Sequence, residues 1–369
     1  MEFRGHVLAE KATTLPREYY TSQEIFAAER DLIFARRWIC LGRADRIPEP
    51  GDYVLAELAG ESLIVARGED RGVRAFFNVC RHRGTRLCEK EEGRLGRAIV
   101  CPYHAWSYGL DGGLLGAPNM SDIAWFDKGD YSLHAAAAGV WEGFLFVHLG
   151  RRPPPLEEAL GPLLGRFAPW RLPALVSVRR TEYDVRANWK LIFQNFSECY
   201  HCPPVHPALA KLSNYRSGAN NLREGPILGG YMLINESGGS LTMTGRMCGA
   251  PLGDLSPEER SRVYYYSIFP GFFLTVQPDF VMSTRLSPLA VDRTQIVSEW
   301  HFAPEASRAA GFDPSDGIEL WDTTNRQDWH ICELAQQGVS SRAYVPGPYS
   351  TQESLLAAFD REYLTSLGR

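Results

Sequence analysis

Residues 80 to 104, "CRHRGTRLCEKEEGRLGRAIVCPYH", hold two thiols and two imidazoles in close couples: Cys80 with His82 and, about eighteen residues further on, Cys101 with His104. A structural zinc accepts two sulfurs and two ring nitrogens. The spacing favours a different centre, because one residue separates the first couple, two separate the second, and each couple falls on a loop between strands. Each couple can then present a thiolate to one iron and an imidazole to another. Two His replacing two Cys on one iron is the ligand set of a Rieske [2Fe–2S] centre.

A second group lies in "NWKLIFQNFSECYHCPPVHP", residues 188 to 207. Trp189, Ile192, Phe193 and Phe196 mark one apolar helical face, and Lys190, Gln194, Glu198 and His201 recur at three- to four-residue intervals on another. This predicts Glu198 and His201 one turn apart on the same side. Pro203 and Pro204 are expected to end the helix, leaving His206 just past it, where the chain can turn back toward His201. Cys199 and Cys202 offer a rival Cys-x-x-Cys zinc or redox pair. They are expected to be packing residues, since no partner couple or thioredoxin-like context accompanies them.

The elements that must hold these groups are legible in outline. Residues 17 to 37 carry Ile25, Phe26, Leu32, Ile33 and Phe34 at helical intervals after a Thr21/Ser22 start, predicting one helix that packs on something built later in the chain. From 38 to 150 the text turns to short strands, with Asp111-Gly112-Gly113 as a hairpin signal. "RRPPPLEE" at 151 to 158 is the best candidate boundary, followed by an expected helix over 156 to 167, a strand over 176 to 186 and a helix capped by Asn188. A long antiparallel hairpin turns near Asp292, and the helix through "GIELWDTTNRQDWHICELAQQG" is expected to stop at Gly338. The expected division is an N-terminal helical segment, 1–37, a β-rich domain, 38–150, and a second domain, 151–369.

The 369 residues suffice for two domains, and 44% hydrophobic and 22% charged residues with a net charge of −5 describe an ordinary globular chain. No basic run points to nucleic acid. The longest apolar stretch, "AAAAGVWEGFLFVHLG", is too short to span a bilayer and contains Glu142. A cytoplasmic location is expected, with the eight cysteines (40, 80, 88, 101, 199, 202, 248, 332) reduced. No Gly-x-Gly-x-x-Gly follows a strand, so electrons are expected from a partner protein rather than from a dinucleotide bound here.

The two groups together resemble the Rieske non-haem iron oxygenases, whose terminal oxygenase (alpha) subunits carry Cys-x-His-Arg-Gly and Cys-x-x-His-x-Trp. This chain has Cys80-Arg-His82-Arg-Gly84 and Cys101-Pro-Tyr-His104-Ala-Trp106. Thr85 and Tyr103 stand where respiratory Rieske proteins have a disulfide, and Cys88 is read as a small buried hydrophobe. The resemblance implies an α+β architecture: an all-β Rieske domain inserted in a helix-grip catalytic domain, whose curved antiparallel sheet wraps a long helix. It implies a mononuclear Fe(II) held by His201, His206 and a third ligand, Asp328, in "NRQDWHICE", with Asp322 as the competitor. It further implies a homotrimer in which Glu198 bridges His104 of one chain to His201 of the next, and an NAD(P)H-dependent flavin/iron–sulfur reductase, with or without a ferredoxin, as electron donor. Orienting His201 within one chain is the plainer role for Glu198.

Glu at 198, the run Glu-Cys-Tyr-His-Cys and the tail "GPYSTQE" look most like the branch acting on quaternary amines: glycine betaine, carnitine and proline betaine. That resemblance favours oxidative N-demethylation by O2. The alternatives are hydroxylation or O-demethylation of an aromatic acid and, outside enzymes, a Rieske electron carrier. "YYYSIFPGFF" at 264 to 273 could furnish an aromatic cage for a cation or pack the sheet.

Overall fold

The computed structural model describes residues 11–236 and 238–369. The first ten residues of the expected 1–37 segment therefore lie outside the described residues. Two compact units emerge, Arg30–Ala159 and Leu160–Arg369, the latter joined by the described residues up to Glu29. The first unit is thus an insertion in the second.

The inserted unit is all β. Its seven-stranded antiparallel sheet runs Ile39–Arg43, Phe144–His148, Ala135–Trp141, Val73–Phe77, Glu61–Arg67, Asp52–Leu58, Glu92–Arg94, and a three-stranded sheet runs Ala98–Val100, Ser107–Gly109, Leu114–Gly116. The Asp111-Gly112-Gly113 turn joins the last two strands, and Gly112 has φ +87° with no room for a side chain, since a Cβ would meet Phe76 Cε1 at 2.4 Å. Tyr53, Ile64, Phe76, Trp106 and Tyr108 fill the core between the sheets, with Cys80 and Cys101 buried among them. The chain stays in this unit past the Pro-rich seam because Leu156 lies over Gly139, where a Cβ would meet Leu156 Cδ2 at 2.8 Å.

The helix expected over 156–167 is a single turn, Leu156–Ala159, followed by 3₁₀ turns at Gly161–Leu163, Ala168–Trp170 and Leu172–Ala174. Pro162, Pro169 and Pro173 start these turns but cannot continue an α-helix, and Gly165 at φ +70° breaks the run. The expected 17–37 helix is also divided, into Glu18–Thr21, Gln23–Glu29 and a π turn at Arg30–Phe34. Ser22 leaves helical geometry (ψ 124°) and its hydroxyl accepts from Ile25 N–H at 3.3 Å, so it restarts the helix as a cap.

The second unit is built on a seven-stranded antiparallel sheet: Val176–Val185, Arg293–Phe302, Val281–Ala290, Phe272–Val276, Arg262–Ile268, Ile227–Leu233, Ala219–Leu222. The hairpin turning at Asp292 forms as expected, with Val281 opposite His301 and Ala290 opposite Arg293. Val178, Met232, Val263, Met282 and Trp300, from five strands, pack in one cluster with Leu320 and Trp321 of the long helix Ser315–Val339. The sheet therefore curls around that helix. Gly338 does not end it: the helix continues to Val339, and Ser340 closes it by donating its hydroxyl and its N–H to Gln336 O.

The N-terminal segment packs on this unit through a buried ion pair. Glu29 and Lys190, both 0% exposed, are partners, and Glu29 also accepts from Trp189 Nε1 at 2.8 Å and Tyr363 Oη at 2.6 Å. Burial lowers the Lys190 pKa, opposed by Glu29.

Candidate active site

The two cysteine–histidine loops are the same turn built twice. In each, the N–H four residues after the cysteine donates to the cysteine carbonyl: Gly84 N to Cys80 O at 3.0 Å and Ala105 N to Cys101 O at 3.1 Å. The cysteine N–H in turn donates to the carbonyl five residues on, Thr85 O and Trp106 O, both at 2.8 Å. The turn demands positive φ at the residue four after the cysteine, met by Gly84 at +75° and, against ordinary preference, by Ala105 at +56°.

This turn buries both sulfurs at 2% exposure while leaving the His82 and His104 rings at the surface end, with centroids 4.8 Å apart and planes at 75°. His82 stacks on Trp106 (4.8 Å, 8°), and Tyr108 Oη lies 3.2 Å from Cys80 Sγ while accepting from Arg81 N–H at 3.0 Å. His104 Nδ1 is buried without a hydrogen-bond partner. A buried ring nitrogen with no protein partner, beside two buried thiols, suits a metal cluster's donor set. Cys88 is buried, as expected of a small hydrophobe.

In the second unit the 188–207 segment departs from the single helix expected. Asn188 caps it, its side chain accepting from Lys190 N–H at 3.0 Å, but the helix ends at Phe196. Lys190 and Gln194 turn inward, Gln194 donating to Asp360 at 2.8 Å. Glu198 and His201 are brought together by a carboxylate-bound turn instead of helical spacing. Glu198 accepts from the Tyr200 and His201 backbone N–H groups and lies 2.6 Å from His201 Nδ1. Pro203 and Pro204 open a new short helix, Cys202–Val205, because first-turn N–H groups need no intrahelical partner. His206 sits at the joint with the next helix, Pro207–Leu212.

Cys199 and Cys202 are joined as a disulfide, with Cα atoms 5.0 Å apart. This corrects the expectation that all eight cysteines are reduced and these two merely pack: residues three apart lie side by side, and here their sulfurs meet. The other six are not disulfide-bonded.

His201, His206 and Asp328 converge, one donor atom of each lying within 4.8 Å of the others. Asp328 Oδ1 is 3.2 Å from His201 Nε2 and 2.8 Å from His206 Nε2, and the two rings cross at 81°. Both Nδ1 atoms are held from behind, His201 by Glu198 and His206 by Gln327 Oε1 at 2.8 Å. Gln327 escaped the sequence reading, since nothing in its type or its place next to Asp328 signals that its side chain reaches back to His206. Asp322 is no ligand candidate here, as it sits mid-helix, accepting from Tyr183 Oη at 2.6 Å and Arg326 Nε at 2.9 Å.

The electrostatics ask for a cation. Burial pulls the His201 pKa down, but hydrogen bonds to Asp328 and Glu198 outweigh it and hold it at about 10. Burial likewise pushes Asp328 up, yet both imidazoles bring it below the usual carboxylate range. A divalent metal would supply that positive charge, and two His with one carboxylate leave coordination positions open.

The cluster opens on a cavity of about 1110 Å³, its mouth included, with Phe196, Tyr265, Trp321 and Trp329 among its walls. Of the aromatics at 264–273, Tyr265 faces it. Strand alternation turns Tyr264 and Tyr266 to the other side, against Trp170 (5.3 Å) and Phe167 (5.8 Å), while Phe269 and Phe273 pack on Phe193. That stretch is therefore chiefly packing.

Comparison with known proteins agrees with this geometry. Residues 37–127 match the Rieske [2Fe-2S] domain, and residues 172–368 match the ring hydroxylating alpha subunit (catalytic domain). The chain is 31% identical over 375 residues to the glycine betaine monooxygenase oxygenase subunit of Chromohalobacter salexigens, covering 91% of this chain and 82% of that one. It is 37% identical over 204 residues to the carnitine monooxygenase oxygenase subunit of Escherichia coli, covering 54% of each. The solved structure of the quaternary ammonium Rieske monooxygenase CntA in complex with L-carnitine superposes with a TM-score of 0.80 at 26% identity, over 98% of this chain and 97% of that one. No described helix is long and apolar enough to cross a membrane. The domains imply a Rieske cluster and a mononuclear iron, in an oxygenase subunit that depends on a reductase. This chain belongs to the Rieske non-haem iron oxygenases, as the oxygen-incorporating oxidoreductase subunit.

Proposed function

We propose that this enzyme uses O2 to remove an N-methyl group oxidatively from a small quaternary amine of the betaine type, releasing formaldehyde. The observation that carries the reading is the metal-ready triad of His201, His206 and Asp328 at a cavity walled by Phe196, Tyr265 and Trp321. Aromatic faces attract a quaternary ammonium and give its methyl groups an apolar seat. The names of the relatives, which act on glycine betaine and carnitine, point the same way.

In this reading Cys80, His82, Cys101 and His104 hold the cluster, and His201, His206 and Asp328 hold the iron. When bound, the cluster passes single electrons and the iron activates dioxygen. The chain's own side chains do the positioning. Glu198 keeps the proton on His201 Nδ1, so that Nε2 stays free for the metal. In a homotrimer the same carboxylate would also meet His104 of the partner subunit and bridge the two centres. Electrons come from an NAD(P)H-dependent flavin/iron–sulfur reductase, directly or through a ferredoxin, in the cytoplasm.

The test is a panel of betaines, carnitine and aromatic acids with a surrogate reductase, scoring NADH use against formaldehyde. Substrate-dependent formaldehyde from a betaine is the expected result. A hydroxylated aromatic acid formed without formaldehyde would overturn the assignment.

A further inference from the structure

We propose that Gln327 is the positioning residue of His206, and that an uncharged acceptor at this position sets the charge of the site rather than its ability to hold iron. The inference rests on the reading of His206 as an iron ligand. Gln327 Oε1 lies 2.8 Å from His206 Nδ1, and His206 Nε2 lies 2.8 Å from Asp328 Oδ1, on the residue next to Gln327. A carbonyl oxygen only accepts, so this contact puts the ring proton on Nδ1 and leaves the Nε2 lone pair for a metal. The opposite amide orientation would put the proton on Nε2, the tautomer that cannot ligate. The His206 side chain is 1% exposed, against 16% for His201, so water does not set its tautomer and a protein group has to.

The two imidazoles are therefore supported unequally, His201 by a carboxylate and His206 by an amide. Charge balance explains the difference. Asp328 and Glu198 already supply two negative charges to a divalent ion in a buried site. A third carboxylate behind His206 would leave the site net negative, which costs free energy away from water. An amide provides the same acceptor without that charge. Both residues of the 327–328 pair sit on the long helix, so one rigid element delivers a ligand and the group that orients its neighbour.

The experiment compares wild type, Q327A, Q327E and Q327N, with H206A in parallel, for ferrous iron affinity by chelator competition without substrate. The cluster's visible spectrum and the melting temperature monitor the fold. Q327A is expected to bind iron about 10–100-fold more weakly, the usual loss on removing such a partner, with cluster and melting unchanged. Q327E is expected to recover the affinity while moving the iron's reduction potential downward. Q327N, one methylene short, is expected to behave as Q327A. Wild-type affinity in Q327A, or a Q327E that recovers neither affinity nor shifts the potential, would overturn the proposal. If Q327A loses its cluster, Q327E and Q327N decide alone: iron held by the first and lost by the second supports it, and equal affinities overturn it. Retained iron in H206A would instead remove the ligand reading itself, so the two failures are distinguishable.

Discussion

Glu198 grips His201 twice: its Oε1 lies 2.6 Å from the ring Nδ1, and its Oε2 accepts the backbone N–H of the same residue at 3.3 Å. Position and tautomer of one imidazole are thus set by a single carboxylate. Glu198→Gln keeps an acceptor, whereas Glu198→Ala removes it. Turnover should fall about 10–100-fold in the alanine variant, with an unchanged cluster spectrum. Wild-type turnover in Glu198→Ala would remove any role for this carboxylate in the reaction.

His206→Ala separates an oxygenase from a bare electron carrier. The variant should lose substrate-dependent turnover and fall from about three irons per chain to about two, while the red-brown cluster remains reducible by dithionite. Full iron content in active material would contradict the ligand set.

The Glu29–Lys190 pair is a stability prediction away from the site. Glu29→Ala leaves a buried ammonium without its partner and should cost about 3–5 kcal/mol in chemical denaturation. Replacing both residues together, as Glu29→Leu with Lys190→Met, should cost less than the sum of the two single changes. Strict additivity would show that the pair is not coupled.

Two buried carboxylates set a pH dependence. Burial raises Asp360 to about 7 against hydrogen bonds from Tyr349 and Gln194, and raises Asp279 to about 6 against Ser240. An unfolded Asp titrates at about 3.9, so between about pH 4 and 7 the folded state binds more protons. Stability from these groups is therefore largest at the low end and declines as pH rises through that window. Asp360→Asn should flatten the decline in melting temperature from pH 5 to 8. Parallel curves for variant and wild type would count against this account.

The disulfide predicts a thiol count. Denatured without reductant, the protein should take up alkylating agent at about six of its eight cysteines, and at all eight after reduction. Eight before reduction would mean that Cys199 and Cys202 are thiols.

The cluster motif was legible in the sequence because both couples sit in short, self-contained turns. Four or five residues close each loop through their own backbone, so spacing alone carries the geometry. The hairpin at Asp292 and the Asn188 cap were readable for the same reason. At 188–207 the sequence supplied the right residues and the wrong route. Helical spacing and the Glu198 turn both set residues three apart side by side, Glu198 with His201 and Cys199 with Cys202, so the neighbours were readable and the backbone path between them was not. Asp328 entered through family likeness, because it is over a hundred residues from His201 and no local period connects them. Gln327 and the cavity wall were beyond any such reading. Residue types and local periodicity determined which chemistry this chain can perform. The curl of the sheet around Ser315–Val339 decided which side chains meet, since packing between distant segments leaves no mark in local spacing.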